Sequence, residues 1–195
     1  MLKTKIAVLV SGGGTNLQAL FDAQKEGIIK SGEIALVISN KESAYALKRA
    51  EDNGIQSLYI KKDADFEKKL IKVLDENKID LIVLAGFLVI LSEDFVKRYP
   101  DKIINIHPSL IPSFCGDGFY GLKVHEAALE RGVKLTGATT HFVNEITDGG
   151  KIIMQRAVEI KDGDTAEILQ KRVMQEAEWK ILPLSVEKVS AQMIK

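Results

Sequence analysis

The sequence has few of the residues on which whole classes of protein depend. Cys115 is the only cysteine among 195 residues, so the chain cannot form an internal disulfide, and no Cys/His cluster has the spacing of a zinc site. The longest run without a charged or polar side chain, from Leu81 to Leu91, is well short of the ~20 residues that cross a bilayer. The apolar stretch from Ile6 to Val10 is too short for the core of a signal peptide. We therefore expect a cytoplasmic protein with no metal site and no membrane partner.

The chain also lacks an excess of charge of either sign. Lys and Arg number 27 and Asp and Glu number 27, and the two signs alternate throughout. A protein whose main partner is nucleic acid normally carries excess basic charge, because neutralising phosphates supplies much of its affinity. The charge balance therefore argues against a nucleic-acid partner.

Short β-branched runs alternate with longer segments of helical period, which is the pattern of βαβ units. Strands are predicted over 6–10, 34–39, 57–60, 81–84 and 103–106, and helices over 16–26, 44–53, 65–77, 92–99 and 122–131. At about 150 residues per domain, the length predicts a single domain over 1–195. We expect an α/β fold with a Rossmann-like, open, mostly parallel twisted sheet and helices on both faces.

The pattern changes toward the C-terminus. Extended segments over 134–143 and 151–160 flank a turn that contains Asp148, which predicts an antiparallel hairpin and hence a mixed sheet at this end. A terminal helix is predicted over 165–181, with Asp164 or Thr165 as its N-cap. Pro183 is expected to interrupt this helix.

A glycine-rich turn, SGGGTN over 11–16, lies between the first strand and the first helix. Backbone N–H groups at a helix N-terminus favour an anion, and a phosphate is the natural ligand. The GK[ST] of a P-loop is absent, and Leu17 stands where the dinucleotide fingerprint needs its third glycine. The turn therefore predicts a mononucleotide-type phosphate site, with a purely structural turn as the alternative.

Asn105 and His107 are two residues apart on a predicted strand, so their side chains face the same way. They stand at the carboxyl end of that strand, where open α/β sheets bind ligands. An amide beside an imidazole suits a developing oxyanion, since one supplies a fixed hydrogen bond and the other a proton or a charge. The pair predicts catalysis, and a structural histidine is the alternative.

Asp148 precedes two glycines and is first of all a turn signal. If the hairpin folds back over the strand that carries His107, the carboxylate is expected to raise the pKa of the imidazole. Thr139 and His141 share a face of the preceding strand and are candidates for the same cleft, although core or surface positions fit them equally well.

The segments SGGGTNLQAL, VLAGFLVIL, INIHPSLIP, and THFV followed by TDGG resemble the phosphoribosylglycinamide formyltransferase family. The resemblance runs in order from about Lys5 to Val186. It implies transfer of a formyl group from 10-formyltetrahydrofolate to the amine of glycinamide ribonucleotide, in purine synthesis, without a metal or a nicotinamide. It also implies a phosphate- and nucleotide-binding half over about 1–100 and a catalytic, folate-facing half over about 101–195, in a monomer or weak homodimer.

The resemblance implies individual roles as well. The catalytic Asn, His and Asp of the family match Asn105, His107 and Asp148, and His107 is expected to be protonated, with Asp148 keeping it charged. The remaining matches are Gly12, Gly13, Gly14, Thr15 and Asn16 for the phosphate, Glu178 for the ribose, and Leu88, Val89, Ile90, Leu91 and Val143, together with Asn105, for the folate.

The chain departs from many relatives at Val89 and near Asp63, where basic residues are common, so the glutamate tail of the folate is expected to be held by other groups. The loop over 113–121 is expected to act as a mobile flap, with Cys115 as a passive wall residue.

Three other functions would share parts of this sequence pattern. A methionyl-tRNA formyltransferase would need a further C-terminal domain and a basic surface, and a formyltetrahydrofolate deformylase, which transfers to water, usually carries an extra N-terminal module. A non-catalytic nucleotide-binding regulatory protein would use the glycine turn, but it has no reason to pair Asn105 with His107.

Overall fold

The computed structural model describes residues 3–194, which form seven strands, seven α-helices and one π-helical turn. The strands are β1 (Thr4–Val10), β2 (Gly32–Ser39), β3 (Gln56–Tyr59), β4 (Leu81–Leu84), β5 (Ile103–His107), β6 (Leu135–Phe142) and β7 (Ile152–Glu159). The α-helices are α1 (Thr15–Lys25), α2 (Tyr45–Asp52), α3 (Phe66–Glu76), α4 (Glu93–Arg98), α5 (Leu122–Arg131), α6 (Ala166–Val173) and α7 (Trp179–Met193). None of the helices described is long and apolar enough to cross a membrane.

All seven strands belong to one sheet, in the order β3-β2-β1-β4-β5-β6-β7. Strands β1 to β5 pair in parallel, whereas β6 runs antiparallel to both β5 and β7. The predicted fold class is thus confirmed: an α/β fold whose mostly parallel sheet becomes mixed toward its C-terminal edge.

The central strand β1 supplies apolar side chains to both faces of the sheet. Ile6, Val8 and Val10 belong to a cluster that includes residues of α1, α6 and α7, whereas Ala7 and Leu9 belong to a second cluster with residues of α3 and α4. All five side chains are fully buried. Successive side chains of a strand point to opposite faces, so a continuous apolar run becomes the middle layer of a three-layer fold.

The strand order places two chain segments side by side at the carboxyl edge of the sheet. From β1 the chain continues to β2 on one side, and β4 lies on the other, so the carboxyl ends of β1 and β4 flank a crevice of the kind in which open α/β sheets bind ligands. The two segments are joined directly, because Ser11 N–H donates to the Gly86 carbonyl at 3.1 Å. The glycine-rich turn therefore lies beside the segment that follows β4.

The predicted hairpin of β6 and β7 is confirmed, and residues 143–151 connect its strands. Gly150 is required there, because a Cβ atom at this position would lie 1.7 Å from the Phe142 carbonyl oxygen. Phe142 N–H also donates to the Lys151 carbonyl at 2.9 Å and closes the base of the connection. The connection thus leaves Asp148 on a short loop with a fixed base.

The prediction that Pro183 interrupts the last helix is wrong, because α7 continues through this residue. The irregularity lies earlier, in the π turn Met174–Glu178. A proline ring presses on the carbonyl four residues before it. Here that residue is Trp179, directly after the π turn, where the helix is already wider than an α-helix. The predicted N-cap is confirmed at Thr165, whose hydroxyl accepts from Ile168 N–H at 3.3 Å.

Candidate active site

A cleft of about 790 Å³ opens at the carboxyl edge of the sheet. Most of the residues that the sequence singled out line it: Asn16, Leu88, Val89, Ile90, Leu91, Asn105, His107, Val143, Asp148 and Glu178. Gly12, Gly13 and Gly14 lie outside its lining, and Thr15 lines a neighbouring groove. One cleft therefore receives the predicted catalytic, folate-facing and ribose-facing side chains, and the glycine-rich turn reaches it only through Asn16.

The charge of the cleft is one-sided. Asp117, Glu145, Asp148 and Glu178 line it, whereas no Lys or Arg does so among the residues described. An anionic group that binds in or beside the cleft must therefore find its positive partners in backbone N–H groups, in imidazoles or in side chains behind the lining.

The apolar part of the cleft comes from the segment after β4. Leu88 and Ile90 are exposed at 58% and 74%, whereas Val89 is buried. Asp63 lies outside the lining of the cleft and forms an ion pair with Lys69 at 2.7 Å. Exposed and buried side chains thus alternate along this segment, and its backbone runs along the wall of the cleft. Such an apolar wall suits a flat ring system.

Strand β5 delivers Asn105 and His107 to the cleft, as their spacing predicts. Asp148 approaches them from the β6–β7 connection, where it adopts a left-handed backbone conformation with φ of 55°. Its Oδ2 lies 3.5 Å from His107 Nδ1, and its Oδ1 lies 3.5 Å from His141 Nε2. Residues 41 positions apart in the chain thus form one buried cluster, and a second histidine joins them.

His107 is expected to be protonated, but its surroundings favour the neutral ring. Burial lowers the pKa of His107 below its ordinary value, and the attraction of Asp148 and the hydrogen bond to the Phe114 carbonyl only partly oppose this. Burial by itself would raise the pKa of Asp148, yet the bonds from His141 and from Gly116 N–H, with the nearby imidazoles, lower it. At neutral pH the site therefore pairs a neutral His107 with an ionised carboxylate.

The loop between β5 and α5 is docked onto this pair. His107 Nε2 lies 2.9 Å from the Phe114 carbonyl, and Gly116 N–H donates to Asp148 Oδ2 at 2.9 Å. A carbonyl oxygen only accepts, so Nε2 carries the proton of the neutral ring. A ligand atom that uses Nε2 must therefore replace the Phe114 carbonyl. Burial and the Asp148 charge raise the pKa of the nearby Cys115, which favours the protonated thiol at neutral pH.

His141 is the functional candidate that the sequence left open. Its Nε2 lies 3.2 Å from Asn105 Nδ2, and its Nδ1 lies 2.9 Å from the Phe142 carbonyl. Nε2 therefore lies within reach of both the Asn105 amide and Asp148 Oδ1, which is 3.5 Å away. His141 thereby fixes the orientation of Asn105. Thr139 has a structural role instead, because it donates to the Ser109 carbonyl at 2.7 Å.

His125 is a cleft residue that the sequence analysis missed, because a single histidine on a helix carries no motif. It is fully buried on α5, and neither ring nitrogen has a hydrogen-bond partner among residues 3–194. Burial, with a smaller repulsion from His107, lowers the pKa of His125 to about 4. The ring is therefore neutral at physiological pH.

The glycine-rich turn over 11–16 has one conformationally demanding position. Gly14 has φ of 71°, and a Cβ atom there would lie 2.7 Å from Ala46 Cβ. At Gly12 and Gly13, by contrast, a Cβ would meet nothing within 4 Å. Helix α2 thus packs tightly against one side of the turn, while the other two glycines face open space.

Glu178 lies at the inner end of the cleft, in the π turn. Its Oε2 accepts from Asn16 Nδ2 at 2.6 Å, which connects the first turn of α1 to the C-terminal helices. Burial raises the pKa of Glu178 to about 6, although the Asn16 bond opposes this. A carboxylate held at such a place can accept hydrogen bonds from ligand hydroxyl groups.

A family model described as formyl transferase matches residues 4–186 of the chain. This chain belongs to the formyl transferase family. It is 42% identical over 187 residues to the phosphoribosylglycinamide formyltransferase of Haemophilus influenzae, covering 93% of this chain and 85% of that protein. The structure superposes on the phosphoribosylglycinamide formyltransferase of Anaplasma phagocytophilum with a TM-score of 0.90 and 41% identity, covering 100% of this chain and 90% of that one.

The same formyl transferase sequence also matches part of much longer proteins. It is 45% identical over 194 residues to the trifunctional purine biosynthetic protein adenosine-3 of Gallus gallus. The match covers 97% of this chain but only 19% of that protein. The chain thus spans about a fifth of the length of this relative and most of the length of the bacterial one.

Replacing Gly14 of this formyl transferase by alanine is expected to destabilise the fold by on the order of 1–3 kcal/mol, through positive φ and the clash with Ala46. Urea unfolding measures the change. Gly13→Ala is the matched control, because its Cβ has open space. Equal stabilities of the two variants would contradict the packing described for the turn.

The raised pKa of Glu178 predicts the direction in which the stability of the protein changes with pH. A carboxyl whose pKa is about 6 folded and 4.5 unfolded loses protons first in the unfolded state, so stability falls as pH rises through this window. The loss is on the order of 2 kcal/mol. Glu178→Gln lacks this loss, so its stability relative to the unmodified protein should increase between pH 4.5 and pH 8 in urea titrations. A difference that does not vary with pH would show that Glu178 is not buried as described.

Proposed function

We propose that this protein transfers the formyl group of 10-formyltetrahydrofolate to the amine of glycinamide ribonucleotide. The products are formylglycinamide ribonucleotide and tetrahydrofolate. The observation that carries the proposal is the convergence of Asn105, His107 and Asp148 in one cleft of a formyl transferase. The names of the relatives, which are phosphoribosylglycinamide formyltransferases or contain purine biosynthetic activities, support the choice of acceptor.

The two halves of the chain contribute different groups to substrate binding. In this proposal the half over about 1–100 binds the nucleotide phosphate with Gly12, Gly13, Gly14, Thr15 and Asn16 and lines the folate wall with Leu88, Val89, Ile90 and Leu91. The half over about 101–195 supplies the catalytic residues, Val143 beside the folate, and Glu178 for the ribose. The open space at Gly12 and Gly13 and the buried Glu178 carboxylate support these roles.

The chemistry requires attack of the substrate amine on the formyl carbon. Negative charge then develops on the formyl oxygen, where the Asn105 amide and the His107 N–H group can donate hydrogen bonds. As the bond between the formyl carbon and folate N10 breaks, N10 gains one proton and the amine loses one. In this proposal His107 is the titratable group beside the reacting atoms and transfers that proton. Asp148 stabilises the ring whenever it carries a positive charge.

The β5–α5 loop has to move in this reaction, because the hydrogen bond from His107 Nε2–H is already made to the Phe114 carbonyl. Ligand binding that displaces this carbonyl frees a donor for the formyl oxygen at the moment the site fills. The contacts of Phe114 and Gly116 thus support a flap over 113–121 that covers the catalytic pair in the free protein.

The most direct test mixes the protein with 10-formyltetrahydrofolate and glycinamide ribonucleotide and follows release of tetrahydrofolate. We expect release that depends on the nucleotide, and His107→Asn should lower kcat by about 10²–10⁴ because a donor and proton carrier is lost. Lys171→Ala, an exposed substitution on α6, is the control and should leave the rate unchanged. Tetrahydrofolate release without nucleotide would instead identify a deformylase, and full activity of His107→Asn would exclude the proposed site.

Asp148→Asn tests the electrostatic pairing through pH. The carboxylate raises the pKa of His107 against the effect of burial, so its removal should move the limb of the kcat profile that belongs to His107 toward lower pH. Rates measured from pH 5 to pH 9 show this limb. A profile that keeps its midpoint in the variant would exclude Asp148 as the electrostatic partner.

A further inference from the structure

Arg49 on helix α2 docks its guanidinium against the outside of the glycine-rich turn. Its Nε donates to the Gly13 carbonyl at 2.8 Å, and its Nη1 donates to Gln18 Oε1 at 3.1 Å. The guanidinium carbon lies 5.0 Å from the centre of the Tyr45 ring, which limits its motion on the remaining side. These contacts tie the side chain both to the turn and to the first helix that follows it.

The bond to Gly13 determines where a backbone donor of the turn points. In a planar trans peptide the C=O and the following N–H point in opposite directions. With the Gly13 carbonyl directed at Arg49, the Gly14 N–H points away from α2. Ala46 N–H donates to the Gly12 carbonyl at 3.1 Å and directs the Gly13 N–H in the same way. Helix α2 therefore aims two successive N–H groups at the open side of the turn.

The charge of Arg49 is not neutralised by a carboxylate. The ion pairs found among residues 3–194 do not include it, and the partners named above are all neutral. Arg156 and Lys180 line the same neighbouring groove as Arg49, but neither has a described hydrogen bond to the turn. Arg49 is thus a fixed cation directly behind a glycine-rich turn whose adjoining cleft is lined by carboxylates and, among residues 3–194, by no Lys or Arg.

From these contacts we infer that Arg49 is a positioning residue for the substrate phosphate, an inference that rests on the proposed function. It holds the Gly13–Gly14 peptide so that its N–H meets the phosphate, and its charge polarises that peptide and offsets the phosphate charge through the turn. Arg49 acts mainly on the nucleotide, because its own hydrogen bonds go to Gly13 and Gln18 and not to the folate wall. Its loss should therefore weaken nucleotide binding and spare both folate binding and the chemical step.

Kinetics of both substrates test this separation. For Arg49→Ala we expect the KM for glycinamide ribonucleotide to rise about tenfold or more, as for loss of a charged hydrogen bond. The KM for 10-formyltetrahydrofolate and kcat at saturating nucleotide should change less than threefold. Arg49→Lys should recover part of the affinity, because it restores the charge but not the fork of donors. Lys48→Ala, which removes an exposed cation from the same helix, should leave both KM values unchanged.

Two results would overturn the inference. One is an unchanged KM for the nucleotide in Arg49→Ala, and the other is an equal rise in both KM values together with a lower Tm, which indicates a structural role only. If Arg49→Ala fails to fold, Arg49→Gln keeps a donor of similar reach without the charge and is subject to the same criteria.

Calorimetric binding of glycinamide ribonucleotide without folate separates this inference from the proposed function. Unmodified protein that binds the nucleotide but transfers no formyl group contradicts the function, and the effect of Arg49→Ala on the binding constant is still measurable. Active protein whose nucleotide binding is unaffected by Arg49→Ala contradicts the inference alone.

Discussion

The site depends on keeping an ionised carboxylate buried beside two imidazoles. The Asp148 side chain is 9% exposed, yet it stays charged because hydrogen bonds from Gly116 N–H and His141 lower its pKa and the His107 ring lies beside it. A buried charge without such partners would be strongly destabilising. The fold supplies them from three places, namely strand β5, strand β6 and the loop before α5, so the sheet has to be complete before the cluster can exist.

Burial and attraction act against each other at His107. A more exposed ring would have a higher pKa and would already carry the proton that it has to accept. A buried ring without a nearby carboxylate would have too low a pKa to hold a proton. The contact with Asp148 lies between these extremes, so in the proposed reaction the His107 ring would gain and lose a proton at little cost in free energy. In the proposed function, backbone N–H groups and the Arg49 cation behind them bind the anionic substrate, because the cleft itself is lined with acids.

Local sequence was enough to predict most of the architecture. The apolar run of β1 and the Leu122–Arg131 helix follow from period and from glycine signals, and the spacing of Asn105 and His107 placed both in the cleft. The missed features come from long-range packing. The path of α7 through Pro183 depends on the π turn before it, the neutral state of His107 depends on burial, and the docking of Arg49 onto the glycine turn depends on how α2 packs.

The pairing of His107 with Asp148 is tested most directly by a double-mutant cycle on kcat/KM. Groups that act as one unit in catalysis are strongly non-additive. If the carboxylate works only through the imidazole, the double variant His107→Asn with Asp148→Asn should be about as slow as His107→Asn alone. Losses that multiply, so that the double variant shows the product of the two single effects, would mean that the two side chains act independently and would contradict the pairing.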